Sequence, residues 1–175
     1  MNLVGQQIRL RSLEIEDLDF LYTIENDESF WELSGTQSPF SKDILHEYIQ
    51  NAKQDISEVG QYRFVISSEK DDTPLGLIDL FDFSAQHSRA GVGIIVHPDH
   101  QNKGFGSEAL SLLISYCTYE LRLHQLYADV LENNTVSIRL FEKHGFQKVG
   151  IKKDWIYFHK SFKNEIILQL ILDES

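Results

Sequence analysis

The stretch Gln101–Ser107, which reads QNKGFGS, constrains this chain more than any other. An apolar run, Arg89–Val96, precedes it and ends at Pro98, and a segment with helical periodicity follows it. Glycines let a backbone approach an anion closely, and the free N–H groups at a helix start point towards one spot. With the helix dipole and one flanking cation, Lys103, this stretch predicts a phosphate or diphosphate site at a strand–turn–helix junction.

The chain before this stretch is predicted to form a strand, two helices and a strand pair. Polar and apolar residues alternate over residues 7–11, as in a half-buried strand, and an irregular aromatic link at 30–35 joins the two helices. Tyr62–Ser67 and Leu75–Phe83 are predicted to be antiparallel because only a short turn separates them. The predicted apolar faces are Leu18, Leu21 and Ile24 in the first helix, and Ile44, Leu45, Tyr48, Ile49 and Ala52 in the second, which Ser41 caps.

The chain after the stretch is predicted to add two helices and three strands. A long helix begins near Gly104 and joins Arg89–Val96 to a strand at Gln125–Leu131, which predicts a parallel β-α-β unit. Asn133 or Asn134 caps a shorter helix that ends at His144-Gly145. The remaining predictions are a core-facing stripe of Leu110, Leu113, Ile114 and Cys117 in the long helix, and closing strands at 147–158 and 165–172 around a polar turn at 159–163.

Composition narrows the classes of function. The 175 residues carry 27 acidic and 16 basic side chains, a net charge of −11, which argues against nucleic-acid binding. The same charge suits a cationic substrate, although many acidic proteins are acidic only for solubility. The single cysteine excludes an intrachain disulfide and a cysteine-type zinc site, and the seven histidines show no metal-ligand spacing. With no long apolar run, the chain is predicted to be cytoplasmic and not bound to a membrane.

A dinucleotide-binding turn is one interpretation of the glycines. Gly104–Ala109 fits the pattern G-x-G-x-x-A, and Asp129 follows about twenty residues later, where a ribose-binding acid is expected. Such a turn, however, follows its strand almost at once, whereas seven residues, His97–Lys103, intervene here. A nicotinamide-dependent oxidoreductase therefore stays a weaker alternative.

Taken with its surroundings, the stretch resembles the acetyl-CoA-binding motif Q/R-x-x-G-x-G/A of the GNAT superfamily of N-acetyltransferases. Gln101, Gly104 and Gly106 fill the motif, and the order of predicted elements matches that fold over residues 6–172. The later run Asn134-x-x-Ser137-x-x-x-Phe141-x-x-x-Gly145-Phe146 extends the match. The chain looks most like the branch that contains bacterial spermidine N-acetyltransferases and ribosomal-protein N-terminal acetyltransferases.

The resemblance implies one α/β domain over residues 1–175, with a mostly antiparallel mixed sheet flanked by helices. The sheet would be splayed between Val92–Val96 and Gln125–Leu131 to admit acetyl-CoA, whose pantetheine arm would pair with strand backbone. Asn134 would contact that arm, cap its helix, or both. The implied cofactor-binding residues are Ile94, Ile95, Val96, Gln101, Asn102, Lys103, Gly104, Phe105, Gly106, Ser107, Asn134, Ser137 and Phe141.

The reaction implied is attack of a primary amine on the thioester, with a polyamine or a protein N-terminus as acceptor. Two positions depart from the family pattern. Relatives often have Arg-Ala-Glu where this chain has Arg89-Ala90-Gly91, and the spermidine-acetylating relatives have a proton-donating tyrosine where this chain has Phe141. These departures leave a CoA-binding module without turnover as an alternative.

The predicted acceptor site is drawn from acids and an aromatic residue. Asp79 interrupts an apolar strand and is the candidate general base, although it is also compatible with a structural hydrogen bond. Asp82 is predicted on the opposite face by the two-residue strand period. Trp31, Glu32 and Asp82 are candidate substrate-binding residues, and packing is the alternative role of Trp31. No metal is expected, and a homo-oligomer is left open.

Overall fold

The computed structural model describes residues 3–172, whose strands form one seven-stranded sheet in the order β1-β2-β3-β4-β5-β7-β6. The strands are β1 Ile8–Ser12, β2 Tyr62–Ser68, β3 Pro74–Ser84, β4 Arg89–Val96, β5 Gln125–Leu131, β6 Gln147–Phe158 and β7 Ser161–Ile171. The helices are α1 Leu18–Glu25, α2 Trp31–Ser34, α3 Lys42–Asn51, α4 Ile56–Val59, α5 Phe105–Tyr119 and α6 Thr135–Lys143. The predicted fold class is confirmed, and the predicted elements occur in the predicted order, with two unpredicted helical turns, α2 and α4, added between β1 and β2.

The sheet separates in its middle. Neighbouring strands are antiparallel except β4 and β5, which are parallel and pair only from Arg89–Gly91 to Gln125–Tyr127. Beyond Gly91, β4 pairs with β3 alone, as far as Val96. One edge of Val92–Val96 therefore faces a gap and not a neighbouring strand, which confirms the expected splay.

Two hydrophobic cores lie on opposite faces of the sheet. Neighbouring residues of β2 divide between them: Val65 belongs to the smaller core and Ile66 to the larger one. Helix α5 contributes Leu110 and Leu113 to the larger core, while α1 contributes Leu21 to the smaller one. The smaller core holds α1 and α3 against β2 and β3, next to the gap. Among the helices that the structure describes, none is long and apolar enough to cross a membrane.

Some boundaries predicted from the sequence were wrong. Residues 30–35 are not an irregular link, because Trp31–Ser34 forms the helical turn α2. Ile44 does not share the buried face of α3 and is 56% exposed, although Ser41 caps that helix as predicted. The last strand begins at Ser161 because the turn is confined to His159 and Lys160, which both adopt positive φ.

A buried ion pair fixes the chain as it leaves β1 and enters α1. The carboxylate of Asp17, which is 3% exposed, accepts two hydrogen bonds of 2.8 Å from Arg11 and one of 2.8 Å from the backbone N–H of Glu14. These bonds set the start of α1, whose last residue, Glu25, faces the cavity described below.

Asp17→Asn is expected to lower the free energy of unfolding by about 2–4 kcal/mol, because Arg11 loses a buried charged partner. Urea denaturation measures this change. Asp19→Asn is the matched control, because Asp19 is 84% exposed in its pair with Lys42. The same loss in both variants would contradict a special role for the buried pair.

Candidate active site

The glycine turn is rigidly connected to the end of β4. Gly104 caps α5 with φ 85°, a conformation that glycine adopts readily, and Asn102 precedes it with φ 60°. The Gln101 side chain donates a hydrogen bond of 3.0 Å to the carbonyl of Val96. Lys103 donates one of 3.1 Å to the carbonyl of Asp99. The turn thus holds the first N–H groups of α5 beside the open edge of β4.

A cavity of about 420 Å³, here called the glycine-turn cavity, lies between this turn and α6. It suits acetyl-CoA because it combines an unpaired strand edge for a pantetheine arm with a helix start for phosphates. Lys103 is outside its lining. Of the predicted cofactor-binding residues, those that line it are Ile94, Ile95, Val96, Gln101, Asn102, Gly104, Phe105, Gly106, Ser107, Asn134 and Ser137.

His144 joins α6 to this turn. The hydroxyl of Ser107 and Nε2 of His144 are 2.9 Å apart. Burial, with a smaller contribution from Lys143, lowers the pKa of His144, so its ring is neutral at pH 7. The sequence prediction missed this pair, because Ser107 and His144 come together only when α6 packs beside α5.

A second cavity of about 320 Å³, here called the acidic cavity, lies on the sheet face between α2 and β7. Its lining includes the predicted residues Asp79 and Glu32 and also Arg63 from β2. Phe141 lines it as well, is 2% exposed and packs edge-to-face on Phe146 with ring centroids 5.0 Å apart. The five carboxylates of the lining are Glu25, Glu32, Asp79, Asp129 and Glu165.

Three basic side chains only partly neutralise these five carboxylates. Lys152 lies 2.7 Å from Glu165 and 3.3 Å from Asp129. Its pKa is raised, because these carboxylates outweigh the effect of burial. The other two pairings are Arg63 with Glu25 and Asp79, and Lys163 with Glu32. Two negative charges remain in excess, so the acidic cavity favours a cation.

The two cavities meet at one place. Both are lined by Leu33, Ile94, Ile95, Asn134 and Ser137. Asn134 caps α6 as predicted, since its side-chain oxygen accepts a hydrogen bond of 3.3 Å from the N–H of Ser137. The hydroxyl of Ser137 and the amide nitrogen of Asn134 bring hydrogen-bond donors to this junction. A molecule bound in one cavity can therefore reach a molecule bound in the other.

Other predicted substrate residues lie elsewhere. Trp31 is outside both linings, and its indole N–H donates a hydrogen bond of 3.0 Å to the carbonyl of Glu25. Asp82 was placed by the strand period, but the pairing of β3 shifts between Phe81 and Ser84, and Asp82 has φ 47°. The two-residue alternation does not extend across this bulge, so the strand period does not determine the face on which Asp82 lies. Asp82 instead accepts a hydrogen bond of 2.8 Å from the hydroxyl of Tyr127.

Gly91 leaves room for an aromatic ring beside the acidic cavity. A Cβ atom at Gly91 would lie 2.4 Å from the ring of Phe81. That ring contacts Tyr127 edge-to-face, with centroids 5.8 Å apart. Phe81 therefore occupies the space that a side chain at position 91 would need.

Several residues of the acidic cavity were not predicted. Arg63, Glu25 and Glu165 come from three separate elements. The one available signal was the short connection between β2 and β3, which places Arg63 opposite Asp79 in an antiparallel pair. Glu25 and Glu165 gave no such signal, because tertiary packing alone brings them to the cavity. In residues 3–172, no three His, Cys, Asp or Glu side chains are arranged so that they could hold a metal ion together.

Comparison with known proteins assigns the family. The sequence profile of the acetyltransferase (GNAT) domain matches residues 7–147. The chain belongs to the GNAT acetyltransferases. A spermidine N(1)-acetyltransferase of Vibrio cholerae is 30% identical over 151 residues, which are 84% of this chain and 83% of the relative. The expected family and its acetyl-CoA cofactor are thereby confirmed.

Solved structures agree with this assignment. A spermidine N-acetyltransferase from Vibrio cholerae in complex with CoA and spermine has a TM-score of 0.87 at 25% identity and covers 96% of this chain and 97% of that one. A dodecameric structure of a spermidine N-acetyltransferase from the same organism has a TM-score of 0.80 at 26% identity, covering 96% and 95%. A putative ribosomal-protein-serine acetyltransferase from Vibrio cholerae, at 22% identity, TM-score 0.77 and coverage of 98% and 97%, shares the fold.

Acetyl-CoA is expected to stabilise this acetyltransferase, whereas NADH is not. At about 100 times its dissociation constant, a ligand adds about 2.7 kcal/mol to the free energy of unfolding. Thermal melts with each compound, and with CoA as a second positive control, measure this. A shift with NADH and none with acetyl-CoA would overturn the assignment of the glycine-turn cavity.

Proposed function

We propose that this GNAT enzyme transfers the acetyl group of acetyl-CoA to a primary amine of a small polyamine such as spermidine. The observation that carries the proposal is the junction of the two cavities: one suits a CoA thioester, and the other carries two excess negative charges. A polyamine is a flexible cation with several ammonium groups, so its charge complements the acidic cavity. The names of the relatives support the same acceptor class.

The chain's own residues divide the work between the cavities. The edge of Val92–Val96 and the turn at Gln101–Ser107 bind the cofactor, which supplies the acetyl group and a thiolate leaving group. The acidic cavity binds the acceptor and orients one nitrogen towards the junction. There, Ser137 and Asn134 are placed to donate hydrogen bonds to developing negative charge. Phe141 has no proton to give, so we assign protonation of the thiolate to water.

Activity is compatible with both departures from the family pattern. A positioned proton donor contributes about 10²–10⁴-fold in rate, and a thiolate leaves without one. Phe141 therefore slows the reaction without blocking it. Phe81 fills the space beside Gly91, so position 91 does not offer the carboxylate that relatives often have there. A carboxylate that contacts the acceptor amine therefore has to come from another strand, and Asp79 on β3 is the candidate.

Two alternatives remain, each with its own observation. The fold shared with a putative ribosomal-protein-serine acetyltransferase is compatible with a protein N-terminus as acceptor. Phe141 and Gly91 favour a CoA-binding module without turnover. The cytoplasmic location and the single-domain organisation stay predictions from the sequence.

We also propose that the protein is a homo-oligomer. The hairpin of β6 and β7 exposes several large apolar side chains, which are costly to leave in water. A related spermidine N-acetyltransferase forms a dodecamer. The exposed side chains are Val149, Ile151, Trp155, Tyr157 and Phe162.

The proposal is tested by the release of free CoA from acetyl-CoA with spermidine, spermine, butylamine and peptides with free N-termini. We expect spermidine and spermine to give the highest kcat/KM, because their charge complements the acidic cavity. Mass spectrometry identifies the acetylated product. Turnover with peptides alone would favour the protein acceptor.

The same experiment separates the alternative without turnover. If thermal melts show that acetyl-CoA binds but no acceptor releases CoA above the blank without amine, the protein is a binding module.

Gel filtration coupled to light scattering measures the oligomeric state. A monomer at micromolar concentration would contradict the proposed assembly.

A further inference from the structure

Arg63 uses each of its three side-chain nitrogen atoms on a carboxylate of the acidic cavity. Nε donates to Asp79 Oδ1 at 2.7 Å and Nη2 donates to Asp79 Oδ2 at 2.9 Å. Nη1 donates to Glu25 Oε1 at 2.5 Å. The three side chains are 21%, 27% and 16% exposed, respectively, so solvent screens these bonds only partly.

The unit of Arg63, Asp79 and Glu25 joins three elements. Arg63 comes from β2, Asp79 from β3 and Glu25 from the end of α1, while the ring of Tyr48 on α3 lies 5.6 Å from the guanidinium. Burial lowers the pKa of Arg63, but the charge and hydrogen bonds of Asp79 outweigh it, so the pKa is raised and Arg63 stays protonated. Two carboxylates and one guanidinium leave one net negative charge.

This geometry changes what Asp79 can do. An acid surrounded only by apolar residues holds its proton easily, and that was the basis for predicting Asp79 as a general base. Here the guanidinium of Arg63 bonds both oxygens of the carboxylate, which fixes it and occupies lone pairs that a base would use to accept a proton. A carboxylate held in this way is suited to bind an ammonium group by its charge and not to deprotonate it.

We propose that Arg63 is a positioning residue, which fixes the carboxylates of Asp79 and Glu25 as a subsite that binds the acceptor's ammonium and does not deprotonate it. The inference rests on the proposed function. An acceptor ammonium loses one proton to water, and the lone pair that this frees forms the C–N bond. The C–S bond breaks, and its electron pair stays on sulfur. The nitrogen then loses a second proton to water, which balances the proton that the thiolate takes from water.

The other charged groups around the subsite do not cancel this charge. Glu32, Asp129 and Glu165 line the same cavity, and Lys152 and Lys163 pair with them. Burial raises the pKa of Tyr48, so the phenol facing Arg63 stays neutral. The phenol therefore adds no charge to the subsite.

Asp79→Asn and Glu25→Gln test the assignment through the division between KM and kcat. With spermidine as acceptor, we expect each variant to raise KM about tenfold or more, because an ammonium loses a charged hydrogen bond, and to change kcat little. The dissociation constant of spermidine for the CoA-bound enzyme, measured by calorimetry, should rise in parallel. Asp43→Asn, on the exposed side of α3, is the control and should change neither value.

If Asp79 were a general base, its substitution would change kcat and not the binding of spermidine. Loss of a base lowers kcat by about 10²–10⁴-fold and leaves the dissociation constant of spermidine nearly unchanged. That outcome for Asp79→Asn would overturn the inference. Wild-type protein that binds acetyl-CoA but releases no CoA with any amine would contradict the proposed function instead, so the two failures are distinguishable.

Spermidine binding by Arg63 variants tests Arg63 itself. Without the guanidinium, Asp79 and Glu25 lose the three hydrogen bonds that fix them, so Arg63→Gln should raise the KM and the dissociation constant of spermidine and change kcat little. Arg63→Lys keeps the positive charge and should restore both values towards wild type. A KM identical in all three proteins would contradict the positioning role. If Arg63→Gln does not fold, Arg63→Lys and Asp79→Asn still decide the matter through the KM and kcat values.

Discussion

The separation of β4 and β5 after three paired residues is the constraint on which the rest of this structure depends. Pairing ends at Gly91 and Tyr127, and one edge of Val92–Val96 is left with unpaired backbone groups. Unpaired strand edges accept an extended ligand readily, and here the glycine turn follows at the end of the same strand. The gap also lets the glycine-turn cavity meet the acidic cavity through the sheet.

Charge suits the two cavities to different ligands. The glycine-turn cavity has helix N–H groups that favour an anion, whereas the acidic cavity is lined by five carboxylates that pair with only three basic side chains. The internal ion pairs hold these acids in place without neutralising them all. A cavity whose acids are already fixed binds a flexible cation with a smaller loss of conformational entropy than a cavity whose acids must rearrange.

Local patterns predicted the parts of the structure that depend on neighbouring residues. The glycine turn, the cap at Asn134 and the parallel β-α-β unit follow from spacing and turn chemistry, and all three are present. The bulge at Asp82 broke the strand period, and no alternation in sequence signals it. Arg63 and Glu25 are 38 residues apart and meet only because α1 packs on the sheet. Contacts of this kind decide the chemistry of the acceptor site, and a single sequence does not encode them locally.

The central claim is that a CoA thioester and an amine meet at the junction lined by Ile94, Asn134 and Ser137. A conjugate that joins spermidine to the sulfur of CoA through an acetyl linker tests it directly, by calorimetry and by a crystal structure of the complex. We expect the conjugate to bind far more tightly than CoA or spermidine alone and to pass through the junction into both cavities. An affinity no better than that of CoA, with the spermidine part outside the acidic cavity, would contradict it.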